Sequence, residues 1–165
     1  MEQASNIPCT DPRIRAVEVA NIGELIRIGE ETKLSPWTAQ NYLDELKNDN
    51  AIMLRLISDD DNTLIGFVVG RLVLGGESEP TLDAEIYNIA VVELEQRKGC
   101  GQRLFDAFVD KCRDSGVANI WLEVRESNTK AIRFYERNGF CRVQTRNHFY
   151  ENPREHAILM KLILE

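Results

Sequence analysis

The fold is decided by one stretch of the chain, Asn88-Ile89-Ala90-Val91-Val92-Glu93-Leu94-Glu95-Gln96-Arg97-Lys98-Gly99-Cys100-Gly101. An apolar strand ends near Val92, a charged loop follows, and two glycines open an amphipathic helix predicted over residues 99–115. Glycines at a helix start permit positive φ and let a ligand approach the backbone closely. Because the first N–H groups of a helix have no intrahelical partners, this junction predicts an anion cradle that suits a pyrophosphate.

A tight strand–helix turn without a ligand is the alternative for this stretch, and the glycine spacing alone leaves both interpretations open. The stretch has neither the third glycine of a Rossmann fingerprint nor the Gly-Lys-Ser/Thr of a Walker loop. Arg97 and Lys98 add two positive charges beside the glycines, although the whole chain carries a formal net charge of −7. This local reversal of charge favours a phosphorylated cosubstrate.

The composition excludes several other classes of function. The 165-residue chain is 43% hydrophobic and 28% charged, which is typical of a globular protein, and its acidic balance argues against general binding to nucleic acid or membranes. Four cysteines without a C-x-x-C pair and only two histidines predict no metal site. The polar N-terminus resembles no export signal and no apolar run is long enough to span a membrane, so we expect a cytoplasmic protein.

The pattern along the chain predicts an α/β fold. Residues 1–11 are expected to be a flexible tail and residues 12–165 a single domain. Strands are predicted over residues 13–19, 51–57, 64–74, 84–92, 117–124, 140–146 and 156–164, and helices begin at Ile22, at Ser35-Pro36, at Gly99 and at Asn128. The strand–helix–strand unit over residues 84–124 implies one parallel pair within a single mixed, mostly antiparallel central sheet that is flanked by helices.

A second stretch carries the candidate chemistry. Alternation along the strand over residues 117–124 puts Trp121, Glu123 and Arg125 on the face opposite to Leu122 and Val124. A carboxylate near the end of an apolar strand is costly to bury unless it is paired or used. An ion pair of Glu123 with Arg125 or another cation is the structural alternative to a catalytic role, and the spacing leaves both open.

At these residues the chain resembles the GCN5-related N-acetyltransferase (GNAT) superfamily. The stretch Gln96–Gly101 matches its Gln/Arg-x-x-Gly-x-Gly/Ala acetyl-CoA motif. Within the superfamily the chain is most similar to the RimI group, bacterial enzymes that acetylate the N-terminal alanine of a small-subunit ribosomal protein. The matching features are Asn88-Ile89-Ala90-Val91, Trp121-Leu122-Glu123-Val124-Arg125, Ser127-Asn128, Tyr135-Glu136, Asn138-Gly139-Phe140, Ser35-Pro36-Trp37 and Arg146-Asn147.

The resemblance implies a GNAT fold, acetyl-CoA as cosubstrate and no metal. It implies that the backbone of the strand binds the pantetheine arm and thioester through Ile89, Ala90 and Val91. It also implies that main-chain N–H groups cradle the pyrophosphate along Arg97, Lys98, Gly99, Cys100, Gly101 and Gln102. Asn128 would contact CoA through its side chain, alone or together with a role as helix N-cap.

The same resemblance implies direct acetyl transfer, with Glu123 as general base and Tyr135 as general acid. Without the resemblance, a core aromatic residue with its hydroxyl at the rim is the favoured interpretation of Tyr135, because it follows Ile132 at helical spacing. Cys100 lies inside the predicted cradle, where a helix N-terminus can lower a thiol pKa. Since direct transfer needs no acyl-enzyme, we interpret Cys100 as a small filling residue.

The implied acceptor is the N-terminus of a protein, in the RimI group a ribosomal protein, and a monomer or weak dimer is expected. The chain departs from the RimI pattern here: Phe149-Tyr150 replaces two tyrosines and Glu155-His156-Ala157 replaces Glu-Asp-Ala. The aromatic pair would retain a wall for a peptide, and His148 and His156 are interpreted as surface or strand-end residues. A small amine, a lysine side chain and a non-catalytic acyl-CoA-binding module remain alternatives.

Overall fold

The computed structural model describes residues 11–165, which form a seven-stranded sheet and four α-helices. The strands are β1 Ile14–Ala16, β2 Ala51–Ile57, β3 Leu64–Gly75, β4 Thr81–Val91, β5 Asn119–Arg125, β6 Cys141–Glu151 and β7 Arg154–Ile163. The helices are α1 Ile22–Glu31, α2 Ala39–Leu46, α3 Cys100–Asp114 and α4 Thr129–Arg137. Of the predicted tail, all but residue 11 lies outside the described residues.

The strand order in the sheet is β1-β2-β3-β4-β5-β7-β6. β4 and β5 pair in parallel and every other neighbouring pair is antiparallel. α3 connects β4 to β5, as expected for a crossover between parallel strands. The predicted mixed sheet with one parallel strand–helix–strand unit is therefore confirmed.

The sheet separates two apolar clusters. On one face, Leu104 and Phe108 of α3 and Ile132 of α4 pack with the buried residues of β5. On the other face, Leu25 of α1 and Tyr42 of α2 pack with the middle of β3. Burial alternates along β5 as predicted, so Glu123 belongs to the face that α1 and α2 cover.

The parallel pair β4–β5 is short and opens into a fork. Its register extends from Asp83 opposite Asn119 to Ile86 opposite Leu122 and is not continued by the described residues beyond that point. β4 continues to Val91 along β3, and β5 continues to Arg125 along β7. The two central strands therefore part, and the inner edges of both are left without a strand partner.

A β-bulge in β4 lies directly at this fork. Asn88 pairs with Val69 and Ile86 pairs with Gly70, so Tyr87 is an extra residue on the β4 side. Beyond the bulge, Val92 donates its N–H to the Ile65 carbonyl. Because hydrogen-bonded and outward-pointing residues alternate in an antiparallel pair, the peptide groups of Ile89 and Val91 point away from β3, toward the fork.

Two predicted element boundaries near the N-terminus were wrong. The helix expected to open at Ser35-Pro36 begins at Ala39, because Thr38 is the N-cap. The Thr38 hydroxyl accepts from the N–H of Asn41, and the Asn41 side chain accepts from the N–H of Thr38. This reciprocal cap satisfies the backbone N–H groups of both Thr38 and Asn41, which would otherwise be unpaired. The first strand is also shorter than expected, at three residues.

The last two strands are longer than predicted. β6 continues past Arg146 to Glu151, and β7 begins at Arg154 rather than His156. The polar, aromatic run from Arg146 to Glu151 was not recognised as strand because it interrupts the apolar alternation. Pairing is shifted between Arg146 and Tyr150, which accommodates that irregular run within the hairpin.

Close packing at the bulge predicts a sensitive glycine. A Cβ added to Gly70 would lie 2.5 Å from two ring atoms of Phe108 and still closer to the carbonyl oxygen of Glu85. We expect Gly70→Ala to lower the free energy of unfolding by about 1–3 kcal/mol, measured by urea denaturation. Gly23→Ala is the matched control, because a Cβ there has no neighbour within 4 Å.

The control is expected to raise the free energy of unfolding by about 0.5–1 kcal/mol, since alanine stiffens the unfolded chain and favours the helix. Equal unfolding midpoints for Gly70→Ala and the unmutated protein would contradict the packing described for β3, β4 and α3.

Candidate active site

The N-terminus of α3 has the geometry of an anion cradle. Gly99 is its N-cap residue in the left-handed conformation, with φ of 82°, and the preceding Arg97 has φ of 61°. No side chain caps this helix start. A Cβ at Gly99 would meet no atom within 4 Å, so no neighbouring group packs against this residue on that side. The N–H groups of the first turn are free to donate to an anion.

Lysine and glutamine side chains connect the cradle to its surroundings. The Gln96 amide donates to the Val91 carbonyl at 2.9 Å, which ties the loop to the open edge of β4. Lys130, at the start of α4, donates to the side-chain oxygen Oε1 of Gln96 at 2.7 Å. Lys130 is thus a third cation beside Arg97 and Lys98. Its role was not predictable from the sequence, because only the packing of α4 brings Lys130 to this loop.

Three predicted cofactor residues have structural partners of their own. Cys100 is buried, and burial raises the pKa of its thiol, which agrees with a filling residue and not a nucleophile. The side-chain amides of Gln102 and Asn138 exchange hydrogen bonds, leaving Gln102 its main chain for a ligand. Asn128 caps α4 by accepting from the Ala131 N–H at 3.2 Å, so the N-cap alternative is confirmed.

Glu123 is ion-paired, but not with its strand neighbour. Its carboxylate lies 2.6 Å from the Arg146 guanidinium of β6, and 25% of its side chain is exposed. Arg125 instead pairs with Glu155 at 3.4 Å and stacks on the ring of Tyr150. The structural alternative for Glu123 was an ion pair with a nearby cation. That cation is Arg146, from the hairpin of β6 and β7.

The environment of Glu123 favours a proton acceptor with an elevated pKa. Burial raises the pKa of its carboxyl, Arg146 opposes this by lowering the pKa, and the nearby Glu85 raises it further. The outcome is a pKa above the usual value for glutamate. Such a group binds a proton more readily than an exposed carboxylate does.

Tyr135 lies on the inner face of α4 and is 6% exposed. Its ring packs against Phe134 and Phe140, with centroids 5.5 and 5.4 Å away, so it is a core aromatic residue. Burial raises its pKa, and the neighbouring Tyr150 adds to that effect. The hydroxyl is therefore protonated at neutral pH and able to donate.

The β6–β7 hairpin forms an aromatic border beside Glu123. The rings of Phe149 and Tyr150 meet edge to face at 5.0 Å. The imidazole Nδ1 of His156 accepts from the backbone N–H of His148 at 2.9 Å, and the two rings lie 4.9 Å apart. His148 is exposed and His156 lies near the start of β7, which agrees with the prediction of surface or strand-end residues.

Within the described residues, the candidate site contains no metal-binding cluster, and it does not coincide with the cavity beside α3. Residues 11–165 contain no group of three or more His, Cys, Asp or Glu side chains able to hold a metal ion. A cavity of about 440 Å³ lies between α3 and the end of β7, lined by residues such as Phe105 and Leu162, and includes none of the predicted site residues. Across the described part of the chain, no helix is long and apolar enough to cross a membrane.

Comparisons with known proteins agree with the fold. Residues 22–140 match the model of the acetyltransferase (GNAT) family. The chain is 32% identical over 154 residues to the ribosomal protein bS18-alanine N-acetyltransferase of Haemophilus influenzae, covering 92% of this chain and 98% of the relative. The crystal structure of the ribosomal-protein-S18-alanine N-acetyltransferase from Escherichia coli has a TM-score of 0.78 at 28% identity, covering 92% of this chain and 93% of the other. Arabidopsis thaliana NAA60 in complex with acetyl-CoA shares the fold, with a TM-score of 0.82 at 18% identity, covering 92% and 97%.

The ion pair between Glu123 and Arg146 predicts that the pKa of Glu123 changes when Arg146 is replaced. Because the guanidinium favours the ionised carboxylate, Arg146→Gln should raise the pKa of Glu123 further. A carboxyl carbon-13 NMR titration measures this directly. Arg142→Gln is the matched control on the same strand, since Arg142 pairs with Glu136 at 2.8 Å instead. A Glu123 pKa that is the same in Arg146→Gln and the unmutated protein would contradict the assigned pairing.

Proposed function

Since the chain belongs to the acetyltransferase (GNAT) family, we propose that it transfers the acetyl group of acetyl-CoA to the N-terminal amine of a protein, with Glu123 as base and Tyr135 as acid. The observation that carries the proposal is the fork between β4 and β5. One side of the fork offers the peptide groups of Ile89 and the N–H of Val91 to a thioester, and the other presents a carboxylate to an amine. The relatives named above support an N-terminal alanine of ribosomal protein bS18 as the acceptor.

The cofactor would lie along β4 and the start of α3. The main-chain N–H groups from Arg97 to Gln102 would hold the pyrophosphate, and Arg97, Lys98 and Lys130 would add positive charge. The pantetheine arm is itself a chain of amides, so it pairs naturally with a free strand edge. Ile89 supplies its outward N–H and carbonyl for that pairing, and Val91 supplies its N–H, since the Val91 carbonyl already accepts from the Gln96 amide.

The acceptor amine must lose a proton before it can attack. An α-amine has a pKa of about 8 and is mostly ammonium at neutral pH. Glu123 would remove this proton, directly or through water, and its elevated pKa suits that task. The neutral amine then adds to the thioester carbonyl. Because Arg146 neutralises part of the carboxylate charge, it would limit how strongly the free enzyme binds the proton.

The carbonyl oxygen becomes negative as the amine adds, and the outward N–H of Val91 is suited to stabilise it. When the tetrahedral intermediate collapses, the C–S bond breaks and CoA leaves as a thiolate. The Tyr135 hydroxyl would protonate that thiolate, and the tyrosine would regain a proton from solvent as the nitrogen of the new amide loses its second proton to solvent. Burial keeps the tyrosine in its neutral, proton-bearing form until the leaving group appears.

The acceptor peptide would approach from the face of α1 and α2, beside the hairpin. Trp37 and Tyr87 are in contact there, with ring centroids 5.9 Å apart, and Phe149 and Tyr150 border the opposite side. These rings suit an extended peptide, which presents apolar side chains and backbone amides together. A ribosomal acceptor would also agree with the predicted cytoplasmic location.

The cradle predicts a loss of cofactor affinity when its left-handed glycine is replaced. Gly99→Ala should weaken acetyl-CoA binding about tenfold or more, because the strained φ moves a main-chain donor away from the pyrophosphate. Isothermal titration calorimetry measures the change. Gly116→Ala, at the other end of α3, is the matched control: its φ is +77° and its Cβ would also meet nothing within 4 Å.

Both substitutions should lower stability by a similar amount, about 1–2 kcal/mol for an L-residue in the left-handed region. Only Gly99→Ala should affect the cofactor. Equal acetyl-CoA affinity in the two variants would remove α3 from the proposed cofactor site.

A role of Glu123 as general base predicts that its substitution lowers turnover and changes the pH dependence of the rate. Glu123→Gln should lower kcat by about 10²–10⁴-fold and leave acetyl-CoA affinity little changed, because the proton acceptor is lost while the cradle is intact. In the unmutated enzyme, the rate should fall as pH decreases through the raised Glu123 pKa, and the variant should lack this acid limb. Thiol release from acetyl-CoA is followed with a peptide that begins with alanine.

The same assay separates the acceptor classes. A panel of the alanine peptide, its N-terminally blocked form with an internal lysine, and small amines tests which amine is acetylated. Turnover of lysine or small amines without the free N-terminus would exclude N-terminal acetylation. An acid limb that persists in Glu123→Gln would return Glu123 to a structural ion pair with Arg146.

A further inference from the structure

A second carboxylate lies on the same face of the sheet as Glu123. Glu85 of β4 pairs in register with Trp121 of β5, and Trp121 and Glu123 share one face of that strand. Glu123 therefore lies one pleat further along, just beyond the last pair of the parallel register. The two carboxylates flank the point where β4 and β5 part, one on each strand.

Glu85 has a hydrogen-bond donor but no cation. The Tyr87 hydroxyl donates to its carboxylate at 2.8 Å. The ion pairs formed by residues 11–165 do not include Glu85. Its cross-strand neighbour Arg71 is instead held by the buried Glu45 of α2 through both carboxylate oxygens. The one cation adjacent to Glu85 in the sheet is thus already engaged.

A partly buried carboxylate that lacks a cation and faces a like charge is unfavourable in the free protein. A cation that enters from solvent would relieve both penalties. Another polar group nearby is also unsatisfied: the amide nitrogen of Asn88, a buried residue at the same bulge, has no hydrogen-bond partner. The fork is therefore incomplete in polar interactions, and the reaction proposed above supplies a cationic substrate group.

We infer that Glu85 is a second acceptor-binding carboxylate, which holds the α-ammonium group at the fork before Glu123 removes its proton. This inference rests on the proposed function. Binding between two carboxylates orients the nitrogen toward the thioester, and it favours a charged amine over a neutral end group. Deprotonation by Glu123 then leaves a neutral amine next to Glu85, so the contact weakens as the nitrogen begins its attack.

Charged and titratable groups face this pair from several elements, among them Lys161 of β7, whose ammonium lies 4.9 Å from the centre of the Trp121 ring. Arg146 and Tyr150 reach Glu123 from β6, Tyr87 and Arg71 neighbour Glu85 from β4 and β3, and Glu45 lies behind Arg71 on α2. Among them only Arg146 contacts Glu123 as a cation. Removing the charge of Glu85 should thus shift the acid limb of kcat to lower pH, because Glu85 raises the pKa of Glu123.

The decisive experiment compares two peptides on the CoA-bound protein by calorimetry. One begins with alanine; the other carries a propanoyl group in its place and so lacks only the amine. Glu85→Gln retains an oxygen that accepts from Tyr87 but loses the charge. It should weaken binding of the alanine peptide about tenfold, the effect of one charge-assisted contact, and leave the propanoyl peptide unchanged. Glu79→Gln, in the exposed loop between β3 and β4, is the matched control and should affect neither peptide.

The outcomes separate the inference from the function on which it rests. Equal weakening of both peptides by Glu85→Gln, or no weakening of either, overturns the role of Glu85 while N-terminal acetylation stands. An unmutated protein that binds both peptides equally and acetylates neither overturns the proposed function and the Glu85 role together. A lowered acid limb in Glu85→Gln but not in Glu79→Gln supports the inference independently of affinity.

Discussion

The structure depends on one constraint: the parallel pairing of β4 and β5 stops after four residue pairs. Backbone polar groups that lose their strand partner must find another or remain in water. Here the loss is local, because β3 continues to support β4 and β7 continues to support β5. The sheet can therefore open at its centre without losing its core, and the unpaired edge is left available for an extended, amide-bearing ligand.

The elements around the fork follow from that opening. The bulge at Tyr87 changes which peptide groups of β4 face outward, and α3 starts where β4 ends, so its free N–H groups continue the same line of donors. β5 adds Glu123 on the opposite strand. The hairpin of β6 and β7 then supplies Arg146, which reaches Glu123 beside the small, buried Ala157. Cofactor and acceptor are thus assigned to different strands of one opening.

Much of this arrangement was predictable from sequence, because it depends on local rules. The glycines at 99 and 101 predicted the cradle, and strict alternation along β5 predicted the face of Glu123. Gly99 indeed has positive φ, which few other residues adopt. The parallel unit followed from strand–helix–strand order. The family resemblance then supplied roles for Glu123 and Tyr135 that spacing alone left open.

What was not predictable depends on non-local register. The partner of Glu123 required knowing how β6 pairs with β7 across a shifted register, so Arg125 was as reasonable a candidate as Arg146. Glu85 was overlooked because its cross-strand neighbours are distant in sequence. The start of α2 was wrong because Thr38 and Asn41 cap each other, which outweighs the Ser-Pro signal three residues earlier.

The most direct test of the fork is amide hydrogen exchange along β4, measured by NMR with and without acetyl-CoA. The peptide groups of Asn88 and Ala90 are bonded to β3, so their exchange should be slow in both states. The amides of Ile89 and Val91 face the fork and should exchange faster in the free protein, then slow strongly when acetyl-CoA binds. Unchanged exchange at Ile89 and Val91 under saturating acetyl-CoA would contradict the account.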